Sequence, residues 1–288
     1  MRRMCIICAA LTVVIACNRP ASNTSEGTER ETYPSEDQEI HARVIDQLHD
    51  GTQRSISELM VQVGESFSGI PYVAHTLERE QEELVVNLRE MDCTTYAENC
   101  LAIARTLQSE DPTFERFQDE LRLIRYRDGK LDHYPSRLHY FCEWIQNNEK
   151  KGLVRDYSRE LGGIPLDKEI NFMSRHPRNY PQLEADSSLV QTIKAQEREI
   201  NSRVRYFIPE SGIGEIESLL KEGDIVGITT DIEGLAVMHV GILVKKEDRI
   251  HLMHASSAMG KVVISKEGLE EYLLASKRAT GIILARPQ

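Results

Sequence analysis

The chain has 288 residues, 40% of them hydrophobic, and it carries a formal net charge of −11 at pH 7. The hydrophobic fraction is sufficient for a buried core, and the acidic balance argues against nucleic acid as a partner. The same balance argues against a broad cationic surface that grips an anionic polymer.

Residues 1–16 have the pattern of a lipoprotein signal peptide. Arg2 and Arg3 precede an apolar run, Met4–Ile15, that is too short to span a bilayer. The run leads into Val-Ile-Ala-Cys, which resembles a bacterial lipobox with Cys17 as the lipidated first mature residue. Asn18 is not the aspartate that retains lipoproteins in the inner membrane, so the pattern favours a periplasmic protein anchored to the outer membrane. An ordinary signal peptide with an incidental cysteine is the alternative.

The segment after the lipobox is polar and rich in Ser, Thr, Glu and Pro. Such a composition cannot bury enough apolar surface to order itself, so we expect a flexible tether over residues 17–40. The remainder, residues 41–288, suits one large domain with an insertion or two small domains. We interpret it as a single domain.

Helical and irregular segments dominate the first part of this domain. Apolar residues recur at helical spacing from Ser55 to Phe67, from Tyr96 to Leu107 and from Phe114 to Ile124. The runs "IPYVAHTLE" and "EELVVNL" look extended because they combine Pro with β-branched residues. Residues from about 110 to 210 are predicted to form a large, mostly helical or loop insertion.

The pattern changes after Gly212. "EGDIVGITT", "AVMHVGILVKK", "RIHLMHAS" and "KVVIS" are short β-rich runs separated by turns, and the helix "EGLEEYLLASKR" and the strand "GIILARP" follow them. Consecutive short strands of this kind predict an antiparallel sheet. Helices followed by such strands indicate an α+β fold.

The cysteines of the mature chain raise a question of role. Cys93 and Cys100 would be about 10 Å apart along one helix, which is too far for a disulfide. Cys100 and Cys142 either form a disulfide or remain free thiols. Cys93 follows Asp92, a plausible N-cap, so it would lie in the first turn, where N–H groups stabilise a thiolate and an oxyanion. A packed thiol and a nucleophile both fit this stretch.

A thiol nucleophile requires a base. His239 lies in an apolar β run and His254 lies on the following one, so the two imidazoles either hydrogen-bond to each other or are satisfied separately. His251 and His254 are three apart, and positions three apart on a strand face opposite sides of the sheet. A zinc site with both is therefore disfavoured, and no metal is expected.

These pieces together resemble a known family. "MDCTTYAE", "LLKEGDIVGI", "MHVGILV" and "LMHASS" occur in the order typical of the NlpC family of papain-like peptidoglycan hydrolases. "IPYVAHTLE", "YSRELGGIP" and "INFMSRHPRNYPQL" are similar to its N-acetylmuramoyl-L-alanine amidase-like branch. Two departures are Thr-Thr after the Asp-Cys pair, where Ser-Gly is usual, and the separation of 146 positions from Cys93 to His239.

The resemblance implies a papain-like cysteine hydrolase fold, with the nucleophile at the N-terminus of a helix packed on a central antiparallel sheet. It implies Cys93 as nucleophile, His239 as general base and His254, or else His251, as the third residue. No metal or other cofactor is implied. The implied ligands are cell-wall muropeptides, for which the candidate binding residues are Tyr72, Asp92, Thr94 and Arg175.

The implied reaction is cleavage of the amide between the muramic lactyl group and L-alanine, in released 1,6-anhydro-muropeptides, during peptidoglycan turnover or recycling. Three alternatives use the same residues differently. They are an endopeptidase that cuts between D-glutamate and the diamino acid of the stem peptide, an acyltransferase that passes a thioester to an amine, and a non-catalytic lipoprotein that binds muropeptides.

Overall fold

The computed structural model of the protein describes residues 35–288, so the predicted signal peptide and the predicted lipidation site Cys17 lie outside the described residues. The helices are α1 (Ser35–Gln47), α2 (Ile56–Ser66), α3 (Cys93–Leu107), α4 (Phe114–Arg125), α5 (Phe141–Lys150), α6 (Phe172–Arg175), α7 (Pro181–Ala185), α8 (Ser187–Asn201), α9 (Ile213–Ile216) and α10 (Leu269–Leu274). The strands are β1 (Val154–Asp156), β2 (Ile164–Pro165), β3 (Tyr206–Pro209), β4 (Ile225–Thr230), β5 (Val237–Lys246), β6 (Arg249–Ser256), β7 (Lys261–Ile264) and β8 (Ala279–Pro287).

The strands form one antiparallel sheet in the order β2-β3-β8-β4-β5-β6-β7, and β1 pairs with β8 beside β3. The last strand in sequence, β8, therefore lies inside the sheet between β3 and β4. Helices precede a meander of strands, and the predicted α+β class with an antiparallel sheet is confirmed.

Alternate residues of the strands point to opposite faces of the sheet, where they contribute to two separate hydrophobic cores. On one face, Ile225, Val240 and Ile242 pack with the cluster that includes α2, α3 and α4. On the other face, residues such as Ile228 and Leu243 pack with α9 and α10. A third cluster, formed mainly by α6, α7 and α8, lies against the connection between β4 and β5.

The sheet forks between β5 and β6. The two strands pair from Lys246 and Arg249 as far as Ile242 and Met253, and the ladder ends there. Beyond that point β5 remains paired with β4, whereas β6 remains paired with β7. A Cβ at Gly241, one residue beyond the end of the ladder, would come within 2.5 Å of a side-chain methyl carbon on β6, so the glycine permits the close approach of the two strands where they begin to separate.

The predicted end of the flexible tether at residue 40 is wrong, because α1 begins at Ser35. Asp37 is buried, and its carboxylate accepts hydrogen bonds from the Leu88 N–H at 2.8 Å and from the Arg89 side chain at 3.2 Å. His41 stacks on Phe117 with their ring centroids 5.2 Å apart. These partners lie far along the chain, so the composition of the segment alone does not reveal them.

Most of the predicted insertion is helical or irregular, as expected, and its short strands β1 and β3 pair with β8 in the central sheet. The run "EELVVNL" is not part of a strand. Its carbonyl groups accept hydrogen bonds from side chains instead: Val85 from Arg125 at 2.6 Å and Glu83 from the Tyr126 hydroxyl at 2.8 Å. This extended segment is therefore held by helix α4 and the residue that follows it.

Candidate active site

Cys93 is the first residue of α3, and Asp92 is its N-cap, as predicted. The Asp92 carboxylate accepts hydrogen bonds from the N–H groups of Thr94 and Thr95 at 3.0 and 2.8 Å. The Asp92 N–H in turn donates to the Thr95 hydroxyl oxygen at 2.9 Å. Asp92, one of the predicted substrate-binding residues, thus fixes the start of the helix. The Asp92 carboxylate does not accept a hydrogen bond from the Cys93 N–H.

The fork between β5 and β6 holds the two histidines that the sequence analysis singled out. His239 Nε2 and His254 Nδ1 are 2.5 Å apart, and the ring planes are nearly perpendicular. One nitrogen donates and the other accepts, so the backbone ladder is replaced here by a side-chain hydrogen bond. The rings of His254 and Tyr272 on α10 also form a T-shaped contact, with centroids 5.4 Å apart.

The Cys93 thiol lies beside the backbone of β5. The N–H of Val240, the residue after His239, and the Thr94 hydroxyl both face the sulfur and favour its thiolate form. Burial and the neighbouring Asp92 carboxylate act in the opposite direction and outweigh them, raising the pKa of the thiol to about 11. The expected donors are present, but Cys93 rests as a neutral thiol.

The two histidines are neutral as well. Burial lowers the pKa of His239 to about 4, and burial together with the neighbouring His239 lowers the pKa of His254 to about 3. Because His239 uses Nε2 in its bond to His254, Nδ1 is the nitrogen left to accept a proton. His254 stays uncharged at neutral pH and can accept a hydrogen bond from a protonated His239.

Two tyrosines lie near the thiol. Burial raises the pKa of both Tyr72 and Tyr272, and a negative charge on Cys93 raises it further. Both phenols therefore lie within electrostatic range of the sulfur. The Tyr72 N–H donates to the Gly260 carbonyl at 2.9 Å, and this bond ties the residue to the turn before β7. Tyr72 was predicted from the sequence, whereas Tyr272 was missed because no motif marks its helix.

A cavity of about 490 Å³ opens beside His239. It lies among the start of β5, the turn after β6 and helix α10, and its lining residues are Ile228, Met238, His239, Ser256, Ser257, Ala258, Glu267, Tyr272, Leu273, Ala275, Ser276 and Ala279. Its size is in the range of small-molecule sites, roughly 300–1,000 Å³. The cavity gives a ligand direct access to His239.

Two residues that the sequence suggested as site residues, Arg175 and His251, lie away from the histidine pair. Arg175 donates to the Glu233 carboxylate at 2.5 Å and lines a separate cavity of about 390 Å³ with it, so its charge already has a partner. The imidazole of His251 contacts the Ser265 carbonyl at 3.1 Å. Of the two candidates for the third position, the structure brings His254 to His239.

The remaining expectations concern disulfides, metals and membranes. Cys93, Cys100 and Cys142 are all free thiols. Within residues 35–288, no three His, Cys, Asp or Glu side chains converge in a way that could hold a metal ion. None of the helices in that range is long and apolar enough to cross a bilayer.

Comparison with known proteins assigns the family. The family model described as N-acetylmuramoyl-L-alanine amidase-like matches residues 62–282 of the chain. The chain belongs to this family. The match includes Cys93, His239 and His254, and no protein of curated function matches the chain.

Solved structures agree with this family. A crystal structure of an N-acetylmuramoyl-L-alanine amidase from Bacteroides uniformis is 37% identical, covers 81% of this chain and 99% of its own, and has a TM-score of 0.77. A Bacteroides fragilis protein provisionally named a xylanase is 35% identical, covers 78% and 99% of the two chains, and has a TM-score of 0.72. A Legionella pneumophila protein with 20% identity and a TM-score of 0.66 covers 87% and 95% and shares the fold.

Proposed function

We propose that this member of the amidase-like family is a cysteine amidase that cleaves the amide between the muramic lactyl group and L-alanine of 1,6-anhydro-muropeptides. The observation that carries the proposal is the contact between His239 and His254 in the fork, beside a Cys93 thiol at the capped start of α3. A nucleophile, a base and a group that orients the base are the three parts that this chemistry needs. The amidase from Bacteroides uniformis supports the choice of bond.

The proposed reaction starts from the neutral thiol. As the sulfur attacks the lactyl carbonyl carbon, its proton passes to His239 Nδ1, and the Nε2–H of the resulting imidazolium donates to His254. The Cys93 N–H, which the Asp92 cap leaves unused, and one further donor receive the oxyanion. His239 then protonates the L-alanine nitrogen, the C–N bond breaks and a thioester remains. Water, deprotonated by His239, hydrolyses the thioester and restores the thiol.

The low pKa of both histidines fits this sequence of steps. A neutral His239 is able to accept the proton from a neutral thiol, and a strongly acidic imidazolium returns it readily to the leaving nitrogen. His254 has no competing proton at neutral pH, so it remains an acceptor throughout. The proposed chemistry therefore uses general-base activation during attack and needs no metal ion or other cofactor.

The fold arrangement supports a finer assignment to the papain-like NlpC superfamily, with Cys93 at a helix N-terminus and the base on a strand of the antiparallel sheet. The unusual Thr94 after the cysteine fits this role, because its hydroxyl faces the sulfur. We place the reaction in the periplasm, in peptidoglycan turnover or recycling. The anchor would be a lipid on Cys17, after cleavage of the signal peptide 1–16.

The chemistry of the site argues against glycoside hydrolysis, the reaction that the name of the Bacteroides fragilis protein suggests. That reaction normally uses two carboxyl groups on either side of the sugar bond. The cavity beside His239 is lined by one carboxylate, Glu267, and the Asp92 carboxylate is occupied by the helix cap. The site therefore favours amide cleavage.

The test is incubation of the purified protein with an anhydro-muramyl tetrapeptide and, separately, with the bare tetrapeptide, followed by mass spectrometry. We expect release of intact tetrapeptide from the first substrate, with a chelator present. Cys93→Ala should abolish release, and Cys142→Ala, which removes another half-buried free thiol, should retain it. Cleavage within the bare tetrapeptide would assign the endopeptidase instead, product only with an added amine acceptor would assign the acyltransferase, and no cleavage of either substrate would overturn the proposal.

A further inference from the structure

A separate cavity of about 600 Å³ lies outside the candidate active site. It is bounded by the extended segment that precedes α3, by the loop between α4 and α5, and by helices α7 and α8. Among its described lining residues none is Lys or Arg, and four are acidic: Glu80, Glu82, Asp132 and Asp186. The cavity shares no lining residue with the one beside His239. Its carboxylates make the local potential negative, which attracts cations.

The buried side of this cavity is short of one positive charge. The Glu82 side chain is 2% exposed, and its carboxylate lies 3.3 Å from the buried Arg137 guanidinium. The same guanidinium donates to the Glu78 carboxylate at 2.8 Å. Within the described chain neither carboxylate has a second ion-pair partner, so one cation serves two anions. A buried charge without compensation is costly, and a further cation beside Glu82 would offset it.

The pKa of Glu82 reflects the same shortage. Burial raises this pKa even though Arg137 and the Tyr126 hydroxyl act against it, and the charge of Glu78 adds to the rise. The carboxylate is therefore incompletely stabilised in its charged form. A ligand cation in the cavity would favour that form.

The hydroxyl group of Tyr134 adds an unsatisfied position to this cavity. Tyr134 lines the cavity and is 1% exposed, yet its hydroxyl has no hydrogen-bond partner among the described residues. Burial raises its pKa and the charges of Glu78 and Glu82 raise it further, so the hydroxyl lies on the side of the two carboxylates. The Oε2 atom of Glu78 is also buried without a partner. Buried polar atoms are normally hydrogen-bonded, and both of these lie where a ligand would supply the missing partner.

A primary ammonium group fits this set of acceptors. It carries one positive charge and three N–H donors, so it can donate to Glu82 and to the Tyr134 hydroxyl oxygen at the same time. A metal ion fits less well, because no three His, Cys, Asp or Glu side chains within residues 35–288 converge to hold one. The cavity volume is in the range of roughly 300–1,000 Å³ that small-molecule sites have, which leaves room for an alkyl chain.

We propose that this cavity binds an aliphatic amine in its ammonium form, with the ammonium group between Glu82 and Tyr134. The exposed carboxylates of Glu80, Asp132 and Asp186 at the cavity rim attract a second cationic end. The inference goes beyond the proposed amidase and does not depend on it. Two sources carry this chemistry, namely a free diamine or polyamine and the side-chain amine of a diamino acid in a peptide.

The first test is a calorimetric titration of the purified protein with 1,5-diaminopentane, with 1,5-pentanediol as the uncharged analogue of equal length. We expect saturable binding of the diamine that weakens as salt is added, and no binding of the diol. Tyr134→Phe keeps the buried ring and removes only the unpaired hydroxyl. It should raise the Kd of the diamine about tenfold or more, the usual effect of losing a hydrogen bond to a charged group.

Two further variants test the rim. Asp186 is the N-cap of α8, and Asn caps about as well, so Glu80→Gln combined with Asp186→Asn removes two charges and keeps the helix start. This double variant should raise the Kd about threefold or more. Glu184→Gln is the matched control, an exposed acidic position on α7 that does not line the cavity, and it should change the Kd less than about twofold. Urea unfolding of each variant establishes that it is folded.

Several results would overturn the proposal. They are an absence of saturable diamine binding, equal binding of the diol, an unchanged Kd in Tyr134→Phe, and equal weakening in Glu184→Gln, which would indicate a diffuse acidic surface. Because none of these measurements uses turnover, a failure of the proposed amidase leaves them unaffected.

A competition experiment separates the two sources of the amine. The Cys93→Ala protein with bound diamine is titrated with a lysine-containing tetrapeptide and with the same peptide acetylated on the lysine amine. Displacement by the free-amine peptide alone would assign a peptide amine as the ligand. Displacement by neither peptide would assign a free diamine. Displacement by both would overturn the role of the ammonium group.

Discussion

The charge on Asp92 should suppress the reactivity of Cys93 while its hydrogen bonds hold the helix in place. Asp92→Asn separates the two effects, because Asn caps helices about as well as Asp but carries no charge. Asp92→Ala removes both, and loss of the cap costs about 0.5–2 kcal/mol of stability. The pair of variants therefore distinguishes an electrostatic role of Asp92 from a structural one.

The size of the effect follows from the protonation state of the thiol. With a pKa of about 11, roughly one Cys93 in three thousand is a thiolate at pH 7.5. The Coulomb repulsion between two unit charges a few Å apart is about 1 kcal/mol or more. Removing the charge should therefore lower the pKa of Cys93 and raise the thiolate population at pH 7.5 by about fivefold or more.

The assay is the rate of alkylation by iodoacetamide between pH 6 and 11, with the modified peptide identified by mass spectrometry so that the other cysteines do not interfere. For the wild type we expect the logarithm of the Cys93 rate to rise steadily with pH, with no plateau near neutrality. Asp92→Asn should shift this profile to lower pH and unfold at a similar urea concentration. Asp92→Ala should give a similar shift with a lower stability.

One result would refute the reasoning directly. A plateau of the wild-type rate between pH 6 and 8 would mean that Cys93 and His239 form a thiolate–imidazolium pair at rest. The mechanism would then begin with a preformed nucleophile, and burial would not control the thiol. An unchanged profile in Asp92→Asn would show that the carboxylate charge does not reach the sulfur.

Three further predictions follow from the site and its support. His254→Ala should lower kcat at least about a hundredfold with little change in KM, because His239 loses the partner that orients it, whereas His251→Ala should stay within a few-fold. Burial lowers the pKa of His41 to about 4, so the unfolded chain binds a proton on this imidazole more tightly than the folded chain does. The contribution of His41 to the free energy of unfolding is therefore fully present above about pH 6.5 and is lost as the pH drops toward 4. Urea unfolding of His41→Phe should show about 2 kcal/mol less loss of stability between pH 7.5 and 5 than the wild type. Arg125→Met should cost about 3–5 kcal/mol in the same assay, because it leaves the buried Glu98 carboxylate without its partner at 2.6 Å.

Each of these has a result that would contradict it. Equal losses of kcat in the His254 and His251 variants would indicate a general effect on the sheet. An unchanged pH dependence in His41→Phe would mean that its imidazole is protonated in the fold. If Glu98→Gln fails to restore any of the stability lost in Arg125→Met, the loss does not come from the unpaired charge.

Local chemistry explains why the start of α3 was predictable. Asp92 satisfies N–H groups two and three residues away, so the sequence contains the whole cap. The strands that carry His239 and His254 were equally predictable, because the β-branched runs and the turns that bound them lie within a few residues of each histidine. Short-range patterns therefore indicated both the helix that carries Cys93 and the strands that carry the histidines.

The remaining features depend on contacts between distant segments. The partner of Arg175 is Glu233, 58 positions away, so the charge pattern suggested a free cation where the fold has an ion pair. Tyr272 reaches the site from α10, and its run has the ordinary pattern of an amphipathic helix. The protonation state of Cys93 depends on burial, which follows from the packing of α3 on the sheet.

The segment that carries Tyr72 also has a consequence for solubility. Residues 69–72 run along the outer side of β7, where the Gly69 N–H donates to Val262 at 3.0 Å and the Val262 N–H donates to Ile70 at 2.8 Å. At the opposite margin the sheet ends in the two-residue strand β2, which contains Pro165. Exposed strand margins recruit other chains into aggregates, and short strands, proline and a covering segment prevent this. A change that loosens residues 69–72 should therefore promote self-association as well as displace a tyrosine from the thiol.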